Sequence, residues 1–87
     1  MNTFHLTIVT PVGKILDQEV GSVSAPGAEG AFAILANHTP FVTTLKSGTL
    51  KVRKTDGDNI FTIDSGILEV TKDKKCLILA NHIEPAK

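Results

Sequence analysis

With 87 residues, 41% hydrophobic and 21% charged, the chain has the size and composition of one ordinary folded domain, large enough for a modest core and too apolar for a disordered segment. Nine basic residues balance nine acidic ones, which removes any global electrostatic case for nucleic acid or for a strongly charged membrane surface. The single cysteine, Cys76, excludes an intramolecular disulfide, the polar start Met1-Asn2-Thr3-Phe4-His5 is not a signal peptide, and no apolar run nears the roughly 20 residues of a membrane helix.

Phe4 to Thr10 alternates, with Phe4, Leu6 and Ile8 on one face and His5, Thr7 and Val9 on the other, the pattern of a half-buried strand. Pro11-Val12-Gly13-Lys14 breaks it. Ile15 to Ala25 resumes extended structure in two pieces, with Gly21 at a bend or bulge.

From Pro26 to Pro40 the sequence changes character. Two glycines, two prolines, Glu29, His38 and an exposed-looking Phe-Ile-Leu run are crowded together, a density of special residues that a sheet scaffold does not need. A working surface is expected here. Within it, Ala31 to Leu35 reads as a short strand, because flanking Gly and Asn argue against a helix.

Phe41 to Leu45 is rich in β-formers, Lys46-Ser47-Gly48 turns the chain, and Thr49 to Lys54 alternates with Leu50 and Val52 inward. Thr55-Asp56-Gly57-Asp58 carries the Asp-Gly signal of a tight hairpin, and Asn59 to Asp64 returns beside it. A second hairpin joins Ile67–Thr71 to Cys76–Ala80 through the polar turn Lys72-Asp73-Lys74-Lys75. Asn81 to Lys87 reads as a tail. Short strands, frequent turn signals and no 3.6-residue stripe predict an all-β protein, a sandwich or flattened barrel.

The pentapeptide Ile-Leu-Ala-Asn-His occurs twice, ending at His38 and His82. With His5 these could suggest a three-histidine metal site, but no two are spaced i, i+2 and no carboxylate cluster accompanies them, so none is assigned. Cys76 opens an apolar strand with no neighbouring base to activate it and reads as a buried structural thiol. Gly27-Ala28-Glu29-Gly30 lacks the Lys-Ser/Thr ending of a P-loop and precedes no helix; it reads as a protruding turn that offers Glu29 to a partner. Asn37-His38-Thr39-Pro40 is either a polar corner leading into the next strand or an interface element with His38 beside Phe32 and Phe41. Both charged hairpin tips read as solvated. Catalytic, cofactor-binding and nucleotide-binding residues are absent from this reading.

Several blocks in order carry a resemblance: Phe4 to Pro11, Gly27 to Leu35, Asn37-His38-Thr39-Pro40-Phe41, Leu45 to Gly48, Ser65 to Val70 and Leu77 to Asn81. Together they resemble the N-terminal β-sandwich domain of the ε subunits of F-type ATP synthases (δ in mitochondria), over nearly the whole chain. The resemblance implies a ten-stranded sandwich spanning 1–84 with a short tail at 85–87. It also implies a non-catalytic place in the central stalk, between the γ subunit and the c-ring, on the cytoplasmic face of a bacterial energy-transducing membrane. By matching position, Glu29, Gly30, Ala31 and Phe32 would face the c-ring, and Thr10, Asn37, His38, Pro40 and Phe41 would face γ.

Two departures stand out. The family's glycine pair before the Ile-Leu-Glu-Val block is Ser65-Gly66 here, and the chain stops at Lys87, where a C-terminal helical hairpin commonly begins. The start at Met1 favours a naturally short subunit, for which hairpin-type inhibition of ATP hydrolysis and ATP binding are not expected. The rival readings are a generic β-sandwich adaptor and, further off, a small metal protein using His38, His82 and Cys76.

Overall fold

The computed structural model describes residues 2–86, in which every regular element is a strand. In chain order these are β1 (Phe4–Thr10), β2 (Gly13–Val20), β3 (Ser22–Gly27), β4 (Gly30–Leu35) and β5 (Phe41–Leu45). Then follow β6 (Gly48–Lys54), β7 (Gly57–Ile63), β8 (Gly66–Val70), β9 (Cys76–Ala80) and β10 (Ile83–Pro85). Alternation of apolar and polar residues puts one face of nearly every strand inward: Phe4, Leu6 and Ile8 are buried while His5, Thr7 and Val9 stay partly exposed.

The strands form two layers, β4-β3-β6-β7-β10 and β5-β8-β9-β1-β2, which close on one core. They are a single curled sheet, because backbone pairing passes from one layer to the other at a corner. Residues Ser22 to Ser24 of β3 pair with β6, whereas Gly27 pairs with Leu45 of β5. Two further bonds pin that corner, Ala28 N–H to Thr44 O at 3.0 Å and Lys46 N–H to Pro26 O at 2.9 Å. Most pairs are antiparallel; β1 and β9 are parallel, so β1 closes the second layer from the far end of the sequence.

Three hairpins share one device. Pro11-Val12, Ala28-Glu29 and Thr55-Asp56 are two-residue loops, and the residue opening each return strand is a glycine with φ of +137°, +138° or +134°. The Asp-Gly hairpin is therefore placed one residue earlier than its signal suggests: Gly57 already pairs with Lys54. The Lys72–Lys75 turn closes β8 onto β9 as expected, with Lys74 in the left-handed region at φ +65°.

The tail is corrected. Ile83–Pro85 pairs with Phe61–Ile63 of β7, and Ala86 N–H donates to Ile60 O at 2.8 Å. Three residues are too few to show periodicity, and β7 supplies the pairing that sequence alone does not reveal. The strand carries the sheet past residue 84, into the segment read as tail; Lys87 lies outside the described residues.

Candidate interaction surface

The stretch from Pro26 to Phe41 forms one side of the sandwich. Its first part is the β3–β4 hairpin, with Ala28 and Glu29 at the tip. Gly30 must be small because its φ is +138°, a conformation that costs residues bearing a Cβ. Gly27 must be small for another reason: a Cβ there would lie 2.8 Å from the Phe32 ring and 2.7 Å from Gly30 O. The tip is thus flattened under Phe32 and holds the Glu29 carboxylate out in solvent.

The apolar run behind the tip divides by strand period. Ile34 is buried in the core, Phe32 is half-buried against it, and Leu35 is 60% exposed. The expectation that Phe, Ile and Leu all face outward thus holds for Leu35 alone. Ala36 to Pro40 then crosses from the end of β4 to the start of β5. Asn37 takes φ +66°, which asparagine tolerates better than most side chains. The His38 ring sits 5.0 Å from the Phe41 ring, and its Nδ1 is 2.7 Å from Thr39 O, the geometry of an Nδ1–H donor. Phe41 meets Phe32 edge-on at 5.7 Å. An aromatic trio therefore plugs the gap between the two layers and joins the two predicted contact groups from within.

Their exposed ends are far apart. Glu29 lies at the Leu45 end of β5 and Pro40 at its Phe41 end, so roughly 14 Å of strand separates them. Thr10 is not with His38 and Pro40. Its strand ends beside Ala80, Gly66 and Leu45, at the same end as the Glu29 tip, where its hydroxyl donates to Gly13 O at 3.2 Å.

A surface the sequence reading missed connects these ends. On the outer face of β8, β9 and β1, Ile67 pairs with Leu79 and Leu79 with Val9. Ile67 and Leu79 are 44% and 46% exposed, and Val42, one row along on β5 and opposite Glu69, is 64% exposed. Val9, Thr10, Ile67 and Leu79 help to line a groove of about 550 Å³ at the Thr10 end. The signal was present: Ile67-Leu68 and Leu77-Ile78-Leu79 break the apolar-polar alternation, so these strands are apolar on both faces.

The remaining groups offer no chemistry of their own. Cys76 is buried, and desolvation pushes its thiol up to about 12, far from a nucleophile's range. The three histidines are dispersed. His5 faces Asp17 and Glu19 on β2, His82 lies 3.6 Å from Glu84, and His38 stacks on Phe41. Among the described residues no group of three or more His, Cys, Asp or Glu side chains converges as a metal site would require. Asp17 is held down to about 2 by the Lys14 ammonium at 2.8 Å and by the His5 imidazole. It lies on the open surface and ties β2 to β1.

An all-β chain whose two layers curl onto one core invites comparison with known folds. Residues 3–86 match the model of the ATP synthase Delta/Epsilon chain β-sandwich domain. The chain belongs to that family. It is 36% identical over 86 residues to the ATP synthase epsilon chain of Caulobacter vibrioides, covering 99% of this chain and all of that one. It is 46% identical over 83 residues to the epsilon chain of Campylobacter hominis, covering 93% of this chain and 63% of the other. In three dimensions it superposes with a TM-score of 0.89 and 26% identity on a chain of the mitochondrial ATP synthase of Euglena gracilis, solved with OSCP, F1 and c-ring. That match covers 95% of this chain and 53% of the other. Relatives in the family thus include one of nearly equal length and others of which this chain spans about three-fifths.

Proposed function

We propose that this chain is a non-catalytic rotor subunit of the central stalk of an F-type ATP synthase, docked on the γ subunit and reaching the c-ring. The observation that carries the reading is the family match over residues 3–86. Glu29 and Gly30 at the hairpin tip, backed by Ala31 and Phe32, would meet the polar loops of the ring. Asn37, His38, Pro40 and Phe41, together with Thr10, would meet γ. Because Thr10 and Pro40 lie at opposite ends of the layer, a partner that touches both must lie along the outer face of β5-β8-β9-β1. The exposed Val42, Ile67 and Leu79 favour such a partner there.

The fold suits a part that carries torque. The ladder is continuous from β10 to β2, and the core beneath it is close-packed and contains no buried polar or charged side chain among the described residues. No helix of the described residues is long and apolar enough to cross a membrane; attachment to a bacterial energy-transducing membrane would run through the rotor partners.

Co-purification and calorimetry with isolated γ test the reading. Wild-type chain should bind γ, Leu79→Glu should abolish binding, and Glu29→Lys should leave it intact while weakening association with the c-ring. Failure of the folded wild-type chain to bind γ would remove the rotor assignment and favour an adaptor for another protein.

A further inference from the structure

Sheet edges are where a β protein is open to other chains, and natural folds protect them with charge, proline, bulges or brevity. Three strands have one wholly unpaired side among the described residues, β2, β10 and β4, and β5 is open over Phe41–Thr43, since it meets β3 only at Leu45. The β2 edge carries Lys14, Asp17 and Glu19 and has a register shift against β1 between Ile8 and Val9. The β10 edge is three residues long and includes Glu84 and Pro85. β4 has none of these protections. Its six residues, Gly30 to Leu35, contain no charge and no proline, pair with β3 without a register break, and leave Ala31, Ala33 and Leu35 exposed. Backbone bonds from β4 run only to β3 among the described residues. Alternate N–H and C=O groups along it therefore point into solvent as an open template.

The face beside this edge indicates what would occupy it. Across β4, β3 and β6, Ala33 aligns with Ser24 and Lys51, and Leu35 with Ser22 and Arg53. Ala33 and Leu35 on β4, serines on β3 and long cations on β6 make a shallow groove of about 250 Å³. The cations have one shared counter-charge, Asp58, at 3.6 Å from Lys51 and 3.9 Å from Arg53. A strand added beside β4 at ordinary spacing would lie about 14 Å from β6, a gap that a glutamate and a lysine bridge over a floor of alanine and serine.

We propose that the free edge of β4 is a strand-addition site for an extended segment of a protein partner that carries a glutamate opposite Ala33. The edge supplies affinity through the backbone, Leu35 receives an apolar side chain, and Lys51 and Arg53 select the acid. The inference rests on the open edge and on the β6 cations beside it, and does not depend on the rotor reading.

The test uses the whole chain and an end-blocked peptide of alternating valine and glutamate, followed by backbone amide shifts and hydrogen exchange. Binding should protect the amides of β4, and Lys51→Glu should weaken it by about five- to tenfold. Ala33→Glu, which keeps the edge folded but repels the acid, should abolish binding of this peptide and admit one of alternating valine and lysine. A peptide N-methylated at alternate residues should not bind. The proposal is overturned if the N-methylated peptide binds equally, or if the shifts map to Ile67 and Leu79 instead. Concentration-dependent protection of β4 without peptide would also overturn it, since the occupant would then be a second copy of the chain.

Discussion

Replacing Leu68 by alanine probes the layer on which both proposed contacts depend. Leu68 is fully buried in the middle of β8, between Thr43 of β5 and Ile78 of β9. The substitution deletes three carbons, which at about 0.8 kcal/mol each gives about 2.4 kcal/mol of lost transfer energy. A cavity that neighbouring strands cannot close raises the expected cost to about 3–5 kcal/mol. A domain of 87 residues has about 4–13 kcal/mol to lose, so the variant should be severely weakened. Val42→Ala on adjacent β5 removes two carbons from a side chain that is 64% exposed and should change stability by about 0.5 kcal/mol or less. Urea unfolding followed by far-ultraviolet circular dichroism suits a protein without Trp or Tyr, and the slope against urea should match wild type. A loss below about 1 kcal/mol for Leu68→Ala, or equal losses in the two variants, would refute the assignment of inner and outer faces.

The substitution Gly66→Ala should cost about 1–3 kcal/mol, because its Cβ would lie 2.5 Å from Leu79 O across the β8–β9 ladder; thermal melts check this, and an unchanged midpoint would mean that the ladder yields freely. Cys76 should react with a disulfide reagent only as fast as the protein unfolds, since burial holds its thiol near 12; rapid labelling of the native state would contradict that burial. Asp17 is depressed to about 2 from 3.8, so its contribution to stability is present above about pH 4 and fades as the pH falls toward 2. An Asp17→Asn variant should lack that acid limb, which a comparison of urea midpoints at pH 2 to 6 would show.

The strands with clean alternation could be read directly from sequence. Phe4–Thr10 and Thr49–Lys54 appear where the pattern puts them, because a period of two has one low-energy placement when one face must be buried; the Cys76–Ala80 arm, apolar on both faces, is placed instead by the polar turn Lys72–Lys75 that precedes it. The change from Gly-Gly to Ser65-Gly66 also has a local explanation: only Gly66 is pressed against a neighbouring backbone, while the Ser65 hydroxyl accepts a hydrogen bond from Asn81 Nδ2 at 2.7 Å. Less local features were hidden. β10 exists because β7 pairs with it, and the apolar face around Ile67 and Leu79 is a surface only because β5, β8, β9 and β1 lie side by side.

The Pro26–Phe41 segment shows where the division lies. Its sequence by itself determined that a tight hairpin, a short strand and a fixed corner follow one another, since positive φ at glycine, strand alternation and proline's locked φ are local properties of the chain. Tertiary structure decided the rest. The parallel pairing of β1 with β9 carries Thr10 to the Glu29 end of the sandwich, and the packing of Phe32 on Phe41 across the two layers binds hairpin and corner into one side. The edge of β4 remains open because β3, its one partner, turns its other side to β6 and β5. These are relations between distant segments, fixed by the order and direction in which strands share one core, and a linear pattern contains no term for them.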